Sequence, residues 1–198
     1  MTDRTCEHCD GPMPIMARSH ARYCKPACRA AAGRARKAVP TLELPVALTR
    51  LPRWVRRSES KVPLTITGTP AASNDPATWS DFDAASKSSV GAGLGFVFNG
   101  DGLCVIDLDH CLIDGEPTPA AAAFLATVPD TYMEISPSGD GLHVFGKGIY
   151  LTARKSRRED LPGEVIAGRK YVTVTGRRFR GTPLTLANIA APAGALIN

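Results

Sequence analysis

The order of apolar and polar residues predicts a domain of short strands and few helices behind a polar, cysteine-containing beginning. Short apolar runs bounded by Gly, Asn, Asp and Ser are typical of strands. The predicted strands are residues 93–98, 103–109, 131–136, 142–145, 163–166 and 170–175. Tight turns follow the first and the fifth of these strands, so we expect two hairpins, over 93–109 and 163–175.

Helix signals are fewer than strand signals. Residues 117–128 are rich in alanine, and Thr118 can cap the start of this helix. Residues 29–38 are rich in Ala and Arg, and a third helix is expected to begin near Asp81 and end at about Ser88. Mixed strands with few helices predict an α+β fold.

Composition divides the chain into three parts. We predict a small cysteine-containing module at residues 1–38, a linker or extended arm at 39–50, and one mixed domain at 51–198. The middle part has two prolines and no clear period. No apolar run approaches the ~18–20 residues that span a bilayer, and the first residues lack a signal-peptide stretch. We therefore expect a soluble intracellular protein without a membrane partner.

Positive charge is concentrated in the first third of the chain. Residues 1–62 hold 13 Lys and Arg against 5 Asp and Glu, whereas the remaining residues hold 11 against 14. This asymmetry favours a polyanionic partner such as nucleic acid, although solubility alone would also explain it. The basic residues at the end of the cysteine module that could contact phosphates are Arg29, Arg34, Arg36 and Lys37.

Four of the six cysteines form two close pairs near the N-terminus. The pairs are Cys6 with Cys9, and Cys24 with Cys28. Pairs with two and three intervening residues can together hold one tetrahedral Zn²⁺, which would supply the folding energy that so short a module lacks. His8 and His20 are substitutes if one cysteine is not a ligand. The alternative is four free thiols in a disordered segment.

Two aspartates, Asp107 and Asp109, are separated by one residue in the predicted strand 103–109. Side chains at positions i and i+2 of a strand share a face, so these carboxylates project together while Ile106 and Leu108 face the core. Neighbouring carboxylates repel each other, and a divalent metal ion removes that repulsion. An isolated Asp-x-Asp is also common where the acids are only solvated.

A glycine-containing loop at 138–141 connects the next two predicted strands. Ser136 and Ser138 offer hydroxyl donors, and we expect His143 to face the same side as the acids. Backbone N–H groups in such a loop suit an anion, although an ordinary hairpin with a satisfied histidine is the simpler alternative. Further along, Glu164 would complete a three-carboxylate site, and Arg169 is a candidate phosphate ligand. Taken alone, such a glutamate is usually a surface residue.

The acid pair, the Ser-to-His loop and the third acid, in this order, resemble the motifs of the archaeo-eukaryotic primase superfamily. The resemblance is to the primase-polymerase domains of phages and plasmids, and it covers roughly residues 51–180. It implies an RRM-like catalytic sheet with an additional αβ unit in front. The preceding cysteine module resembles small zinc-ribbon or treble-clef modules.

The resemblance also implies roles for individual residues. The ligands of catalytic Mg²⁺ or Mn²⁺ would be Asp107, Asp109 and Glu164. The nucleotide-binding residues would be Ser136, Ser138, His143, Lys61 and Arg169. The cysteine module would hold a structural Zn²⁺.

The implied function is that of a DNA primase or DNA polymerase in phage or plasmid replication. Such an enzyme is a nucleotidyltransferase that uses nucleoside triphosphates and a single-stranded DNA template in a two-metal mechanism. It would act in the cytoplasm of a bacterium or a phage-infected host cell. A separate replicative helicase is a further candidate partner, since many relatives carry a helicase after this domain.

Three other functions fit parts of the sequence. The first is a non-catalytic, zinc-containing replication initiation factor that binds DNA, against which the complete set of acids argues. The second is a metal-dependent nuclease, for which the Ser-to-His loop has no obvious use. The third is a transcriptional regulator led by the cysteine module, which leaves residues 100–176 unexplained.

Overall fold

A computed structural model describes residues 4–9, 11–14, 16–18, 20–37, 42–148 and 153–198, without the side chains of residues 32–37. The chain forms two compact units, Met1–Thr41 and Leu42–Asn198. Of the helices in these ranges, none combines the length and the apolar character that crossing a membrane requires.

The helices and strands occur in the order that the sequence predicts for most of the chain. The helices are α1 (Pro26–Lys37), α2 (Val46–Thr49), α3 (Phe82–Lys87), α4 (Pro119–Leu125) and α5 (Ala190–Ile197), with a 3₁₀ turn at Pro76–Thr78. The strands of the first half are β1 (Trp54–Arg57), β2 (Pro63–Leu64), β3 (Gly93–Asn99), β4 (Leu103–Leu108), β5 (Leu112–Ile113) and β6 (Glu116–Pro117). The strands of the second half are β7 (Met133–Ile135), β8 (Leu142–Lys147), β9 (Arg154–Lys155), β10 (Gly163–Ile166) and β11 (Gly168–Val174).

The first unit consists of turns followed by α1. Backbone hydrogen bonds from Cys6 N to Gly11 O, 2.9 Å, and from Glu7 N to Arg22 O, 3.0 Å, hold the turns together. The predicted helix at 29–38 begins earlier, at Pro26, where the fixed φ of proline suits the first turn of a helix. Its predicted last residue, Ala38, lies outside the described residues.

The second unit contains two larger antiparallel sheets and the two-stranded antiparallel sheet β5-β6. One has five strands in the order β7-β8-β4-β10-β9, and the other has four in the order β11-β3-β1-β2. The α+β fold class is therefore confirmed. In the five-stranded sheet β4 lies in the centre, and this antiparallel sheet with helices packed on one face is consistent with the expected RRM-like core.

The two predicted hairpins are wrong. Strand β3 pairs with β1 and β11, whereas β4 pairs with β8 and β10 in the other sheet. Strands β10 and β11 likewise belong to different sheets. The physical reason is burial, because consecutive residues of β3 and β4 are buried on both faces. Such strands need a neighbour on each edge and a layer on each face, which a two-stranded hairpin does not provide.

The five-stranded sheet is covered on both faces. On one face, Ile106 and Leu108 of β4 pack with Phe124 of α4 and Leu196 of α5. On the other face, Val105 packs in a second cluster that includes aromatic side chains of the four-stranded sheet. The aromatic members of this cluster are Trp54, Phe96, Phe98, Tyr132 and Phe145. The space between the two sheets is therefore apolar in its middle.

The segment predicted as a linker is part of the folded second unit where it is described. Residues 39–41 lie outside the described residues, but Leu44 and Leu48 are buried in the core between the sheets. Glu43 forms an ion pair with Arg178 at 3.1 Å. Leu44 and Leu48 therefore belong to the core, and the apolar pattern around them is too short to predict this from the sequence.

Candidate active site

Cross-strand pairing places four polar residues in one row across the five-stranded sheet. Glu134 lies opposite His143, His143 opposite Asp107, and Asp107 opposite Glu164. Directly opposite residues of paired strands project from the same face. This is the face that carries Val105 and the other members of the core between the sheets. The row thus lies toward the four-stranded sheet, beyond the apolar middle.

The row borders a cavity of about 180 Å³ that residues of both sheets line. Eight residues were predicted to bind the catalytic metal ion or the nucleotide. The lining includes seven of these eight: Lys61, Asp107, Asp109, Ser136, Ser138, His143 and Glu164. We call this space the acid cavity. Lys61 and Glu164 both line this space although they are far apart in the sequence, so the fold brings the group together.

Asp107 is partly buried among the other acids of the acid cavity. Burial raises the pKa of its carboxyl group, the nearby His143 opposes this shift, and the charges of Asp109 and Glu164 add to the rise. A cation held by these acids would stabilise the ionised form of Asp107. Three carboxylates are also the donor type that Mg²⁺ and Mn²⁺ prefer, so the residues fit a divalent ion.

The three acids line the cavity without converging on one point. Within the described part of the chain, the one group of three or more Cys, His, Asp or Glu ligand atoms within 4.8 Å of one another is the cysteine group. Mg²⁺ is commonly held by one or two carboxylates together with substrate phosphates and water. The wider spacing of the acids is compatible with that kind of open site.

His143 is held from both sides by carboxylates. Its ring is 2% exposed, its Nδ1 lies 3.0 Å from Glu134 Oε1, and its Nε2 lies 3.4 Å from Asp107 Oδ1. A carboxylate that contacts one ring nitrogen fixes the orientation of the ring. It also determines whether the other nitrogen carries a proton. His143 therefore lies beside the acids, as predicted. The carboxylate of Glu134 on its other side was not predicted.

Glu134 is fully buried and its carboxylate is saturated with donors. Oε2 accepts from the Tyr132 hydroxyl and from Gly176 N, both at 2.9 Å. Oε1 accepts from Thr175 N at 3.0 Å in addition to His143. A signal for Glu134 existed in the sequence, because the short loop between strands 131–136 and 142–145 places Glu134 directly opposite His143.

The loop before His143 is organised by a chain of hydroxyl and carboxylate contacts. Ser136 Oγ lies 2.8 Å from Ser138 Oγ, Ser138 donates to Asp140, and Asp140 Oδ2 lies 2.6 Å from His110 Nδ1. A Cβ on Gly141 would lie 2.6 Å from Leu108 O, so only glycine fits at that position. The two serines line the acid cavity, and a bound phosphate would compete with Asp140 for the hydroxyl proton of Ser138.

Glu164 is paired with a lysine that was not predicted. Lys170 Nζ contacts Glu164 Oε2, and Lys170 also lines the acid cavity. Arg169, the predicted phosphate ligand, is exposed and is not part of the lining. A register shift in β11 between Gly168 and Lys170 leaves Arg169 at positive φ, which turns the next residue toward the acids. The sequence analysis placed Arg169 just before the predicted strand 170–175, whereas Lys170 is the cation that lines the acid cavity.

Lys61 reaches the acid cavity from the connection between β1 and β2. Its backbone has φ 61°, its N–H donates to Ser58 O at 3.0 Å, and its carbonyl accepts from the Tyr171 hydroxyl. The Lys61 charge lowers the pKa of Asp107, although less than burial raises it. Lys61 thus lines the acid cavity with the acids, and its contact with a nucleotide stays a prediction.

The four cysteines of the first unit converge on one point. The Sγ–Sγ distances are 3.7 Å for Cys9–Cys24, 3.6 Å for Cys24–Cys28 and 3.8 Å for Cys28–Cys9. Zn–S bonds of about 2.3 Å in a tetrahedron give sulfur–sulfur edges of about 3.8 Å. Backbone N–H groups, that of Cys24 first, lower the pKa of Cys6 to about 6, which favours the thiolate that binds metal. The cysteine group therefore fits a zinc ion, and it includes neither His8 nor His20.

Comparison with known proteins adds a family and one relative. The family model for the N-terminal domain of bifunctional DNA primase/polymerases, Prim-Pol, matches residues 27–195. The chain is also similar to the DNA primase-polymerase of Nitratiruptor phage NrS-1, with 37% identity over 154 residues, or 71% of this chain. These residues are 21% of the relative, so the chain spans about a fifth of that protein's length. The family match begins inside α1 and includes every residue that lines the acid cavity.

Proposed function

Because the chain belongs to the bifunctional DNA primase/polymerase family, we propose that it is a nucleotidyltransferase that synthesises or extends primers on single-stranded DNA. The observation that carries the proposal is the acid cavity. It gathers three carboxylates, two serine hydroxyls, a buried histidine and two lysines from distant parts of the chain. Phage or plasmid replication is the setting, in the cytoplasm of the host cell.

Asp107, Asp109 and Glu164 would hold Mg²⁺ or Mn²⁺, which would lower the pKa of an attacking 3′-hydroxyl and neutralise charge on the reacting phosphates. Glu164 would exchange its contact with Lys170 for this role. Lys170 would then be free to contact a phosphate, the part that the sequence analysis assigned to Arg169.

The remaining residues of the acid cavity would position the triphosphate of the incoming nucleotide. Ser136 and Ser138 would donate their hydroxyl protons to phosphate oxygens, and Lys61 would add a positive charge. His143, held by Glu134, would present Nε2 beside Asp107 at a fixed place. Positioning and charge stabilisation are the main contributions that proteins make to phosphoryl transfer.

The first unit would hold a structural Zn²⁺ through Cys6, Cys9, Cys24 and Cys28. Its basic residues, together with the family of the chain, support contact with the template strand as its role. A replicative helicase would be a separate partner of the protein in the cell.

The test is template-dependent synthesis by the purified chain. The chain would receive single-stranded DNA, labelled nucleotides and Mg²⁺ or Mn²⁺, with and without a primer. We expect labelled product that depends on the metal ion and on the template. The double variant Asp107→Ala/Asp109→Ala should form none, whereas Asp83→Ala should keep full activity because Asp83 is exposed and pairs with Lys87.

The outcomes separate the candidate functions. Product without a primer identifies a primase, and product only with a primer identifies a polymerase. Full activity of the folded double variant would refute the assignment of the acids. If the wild-type chain forms no product under any condition but binds DNA tightly, the non-catalytic replication factor is the better assignment.

A further inference from the structure

A second cavity, of about 340 Å³, lies beside the loop that follows β7 and is larger than the acid cavity. Three arginines line it: Arg56, Arg57 and Arg177. We call it the arginine cavity. We infer that it binds a phosphate group of the nucleic acid or nucleotide that reacts in the acid cavity. The inference deepens the proposed function and depends on it for the identity of the ligand.

The three guanidinium groups lack carboxylate partners among the described residues. Arg56 donates from Nε to Val90 O at 2.6 Å and from Nη1 to Ala85 O at 3.3 Å. Arg57 donates from Nη1 to Ser58 O at 3.2 Å, and Arg177 donates from Nη2 to Ser136 O. All of these acceptors are backbone carbonyls, which position the side chains without neutralising them. Three positive charges therefore line one cavity without an ion pair inside 4.0 Å in the described ranges.

Burial makes this concentration of charge costly. Desolvation lowers the pKa of Arg56, and the charge of Arg57 lowers it further. In Arg57, the Nε atom is buried without a hydrogen-bond partner in the described part of the chain. A bound anion would offset the mutual repulsion of the arginines. Arginine is also the side chain whose planar fork of donors matches a phosphate.

The backbone beside Arg57 is shaped to accommodate its guanidinium group. A Cβ on Gly93 would lie 3.0 Å from Arg57 Nε, 3.2 Å from Nη2 and 3.3 Å from Cζ. Gly93 also lies directly opposite Arg57 in the β1–β3 pair. The guanidinium group thus lies flat over a position without a side chain, which keeps it at the wall of the arginine cavity.

The arginine cavity and the acid cavity are neighbours. Pro137 lines both of them. Arg177 holds the carbonyl of Ser136, whose hydroxyl faces the acid cavity. A phosphate in the arginine cavity would therefore lie next to the loop that receives the reacting nucleotide. Two sources can supply it, the triphosphate of a nucleotide or the backbone of a nucleic acid strand.

The experiment measures binding of two phosphate probes to the full chain. Inorganic tripolyphosphate represents a nucleotide triphosphate, and a 5′-hydroxyl oligothymidylate represents a backbone. The variants Arg57→Gln and Arg177→Gln each remove one charge from the arginine cavity. Arg158→Gln is the matched control, because Arg158 pairs with Asp160 at 2.7 Å and lines neither cavity.

We expect both cavity variants to bind at least one probe about tenfold more weakly, since an arginine–phosphate contact is a strong, charge-assisted one. Weaker binding of tripolyphosphate assigns the cavity to a nucleotide triphosphate. Weaker binding of the oligonucleotide assigns the cavity to a nucleic acid backbone. The slope of the logarithm of the binding constant against the logarithm of the salt concentration should then become shallower by about 0.7 for each lost contact. The control should bind both probes as the wild type does.

The inference is overturned if both folded cavity variants bind both probes as well as Arg158→Gln does. Should Arg57→Gln fail to fold, Arg177→Gln decides the test, because it alters an exposed side chain and should leave the fold intact. Binding of the probes needs no catalysis. A wild-type chain that incorporates no nucleotide would refute the proposed function, while arginine-dependent phosphate binding would still support the site.

Discussion

The cysteine group of the first unit and the acid cavity of the second suit metal ions in opposite ways. The sulfur atoms of Cys9, Cys24 and Cys28 already lie 3.6 to 3.8 Å from one another, and that of Cys6 lies within 4.8 Å of them. The carboxylates are spread around a cavity, and two of them contact His143 or Lys170. Closed sets of four ligands characterise structural metal sites, whereas catalytic sites keep positions open for substrate. The ion in the cysteine group would therefore stabilise the fold of the first unit, whereas the ion in the acid cavity would bind and dissociate during the reaction.

The largest effect should follow from breaking the closed site. The substitution Cys24→Ser removes one of four ligands in a unit whose described core is small. Structural zinc contributes on the order of 10 kcal/mol to the folding of such modules. We expect loss of the bound metal and of amide-exchange protection over residues 4–37. Metal analysis and hydrogen exchange would measure both.

Cys104→Ala is the control for that experiment, because Cys104 is buried in the second unit and is not part of the cysteine group. It should keep the metal content unchanged. Retention of both metal and protection in Cys24→Ser would show that the four sulfurs do not act as one ligand set.

A smaller effect should follow from altering the open site. Glu164→Gln should leave the fold intact and weaken metal binding. We therefore expect nucleotide incorporation to fall about 100-fold, which corresponds to roughly 3 kcal/mol in the activation free energy. The metal concentration for half-maximal activity should rise. Activity measured across a Mg²⁺ or Mn²⁺ titration would show both changes.

Lys170→Gln sharpens the same comparison. Without this lysine Glu164 has no competing ion pair, so the half-maximal metal concentration should fall even if the maximal rate also falls. An unchanged metal dependence in both variants would mean that Glu164 does not take part in metal binding.

A third test concerns the buried Glu134, which is not one of the proposed metal ligands. Glu134→Gln places an amide NH₂ where a carboxylate oxygen now accepts two donors, so we expect about 1–3 kcal/mol of lost stability. Denaturant unfolding would measure the loss. The exposed Glu59→Gln should be neutral, and equal stability of the two variants would contradict the role of Glu134 as the support of His143.

The smallest effect is expected at the two cysteines outside the cysteine group. Burial raises the pKa of Cys104 and of Cys111 to about 12. At pH 8 only about one in ten thousand of these thiols would be ionised, so alkylation of the native chain should be very slow and should speed up tenfold per pH unit. Mass spectrometry would count the labels.

A chelator completes that measurement. It should expose the four thiols of the first unit to the reagent while Cys104 and Cys111 stay unlabelled until the chain is denatured. Rapid labelling of Cys104 in the native chain would show that the second unit opens far more readily than its buried core suggests.

The sequence was sufficient for most local elements and for the acids, because these depend on residues close together in the chain. Thr118 does cap α4, accepting from Ala121 N at 3.3 Å, and α3 begins after Asp81. Asp107 lies in β4 as predicted, whereas Asp109 lies in the turn directly after the strand, and both line the acid cavity. The cysteine spacing also predicted the converging sulfurs.

Strand pairing and the arginine cavity could not be read from the sequence, because both depend on residues far apart in the chain. Nothing near Gly102 or Ala167 indicates that the chain passes from one sheet to the other there. Arg57 and Arg177 meet only after β1 and the segment following β11 have been placed. The position of Lys170 required knowledge of a one-residue irregularity in β11, which local preferences do not reveal.

The row of Glu134, His143, Asp107 and Glu164 uses a single residue from each of four strands. Deleting or inserting one residue inside any of these strands would turn its contribution to the opposite face, away from the cavity. Length variation among relatives should therefore accumulate in the connections and avoid β4, β7, β8 and β10. In grafting this site onto another scaffold, the alignment of the four strands would have to be transferred before any side chain.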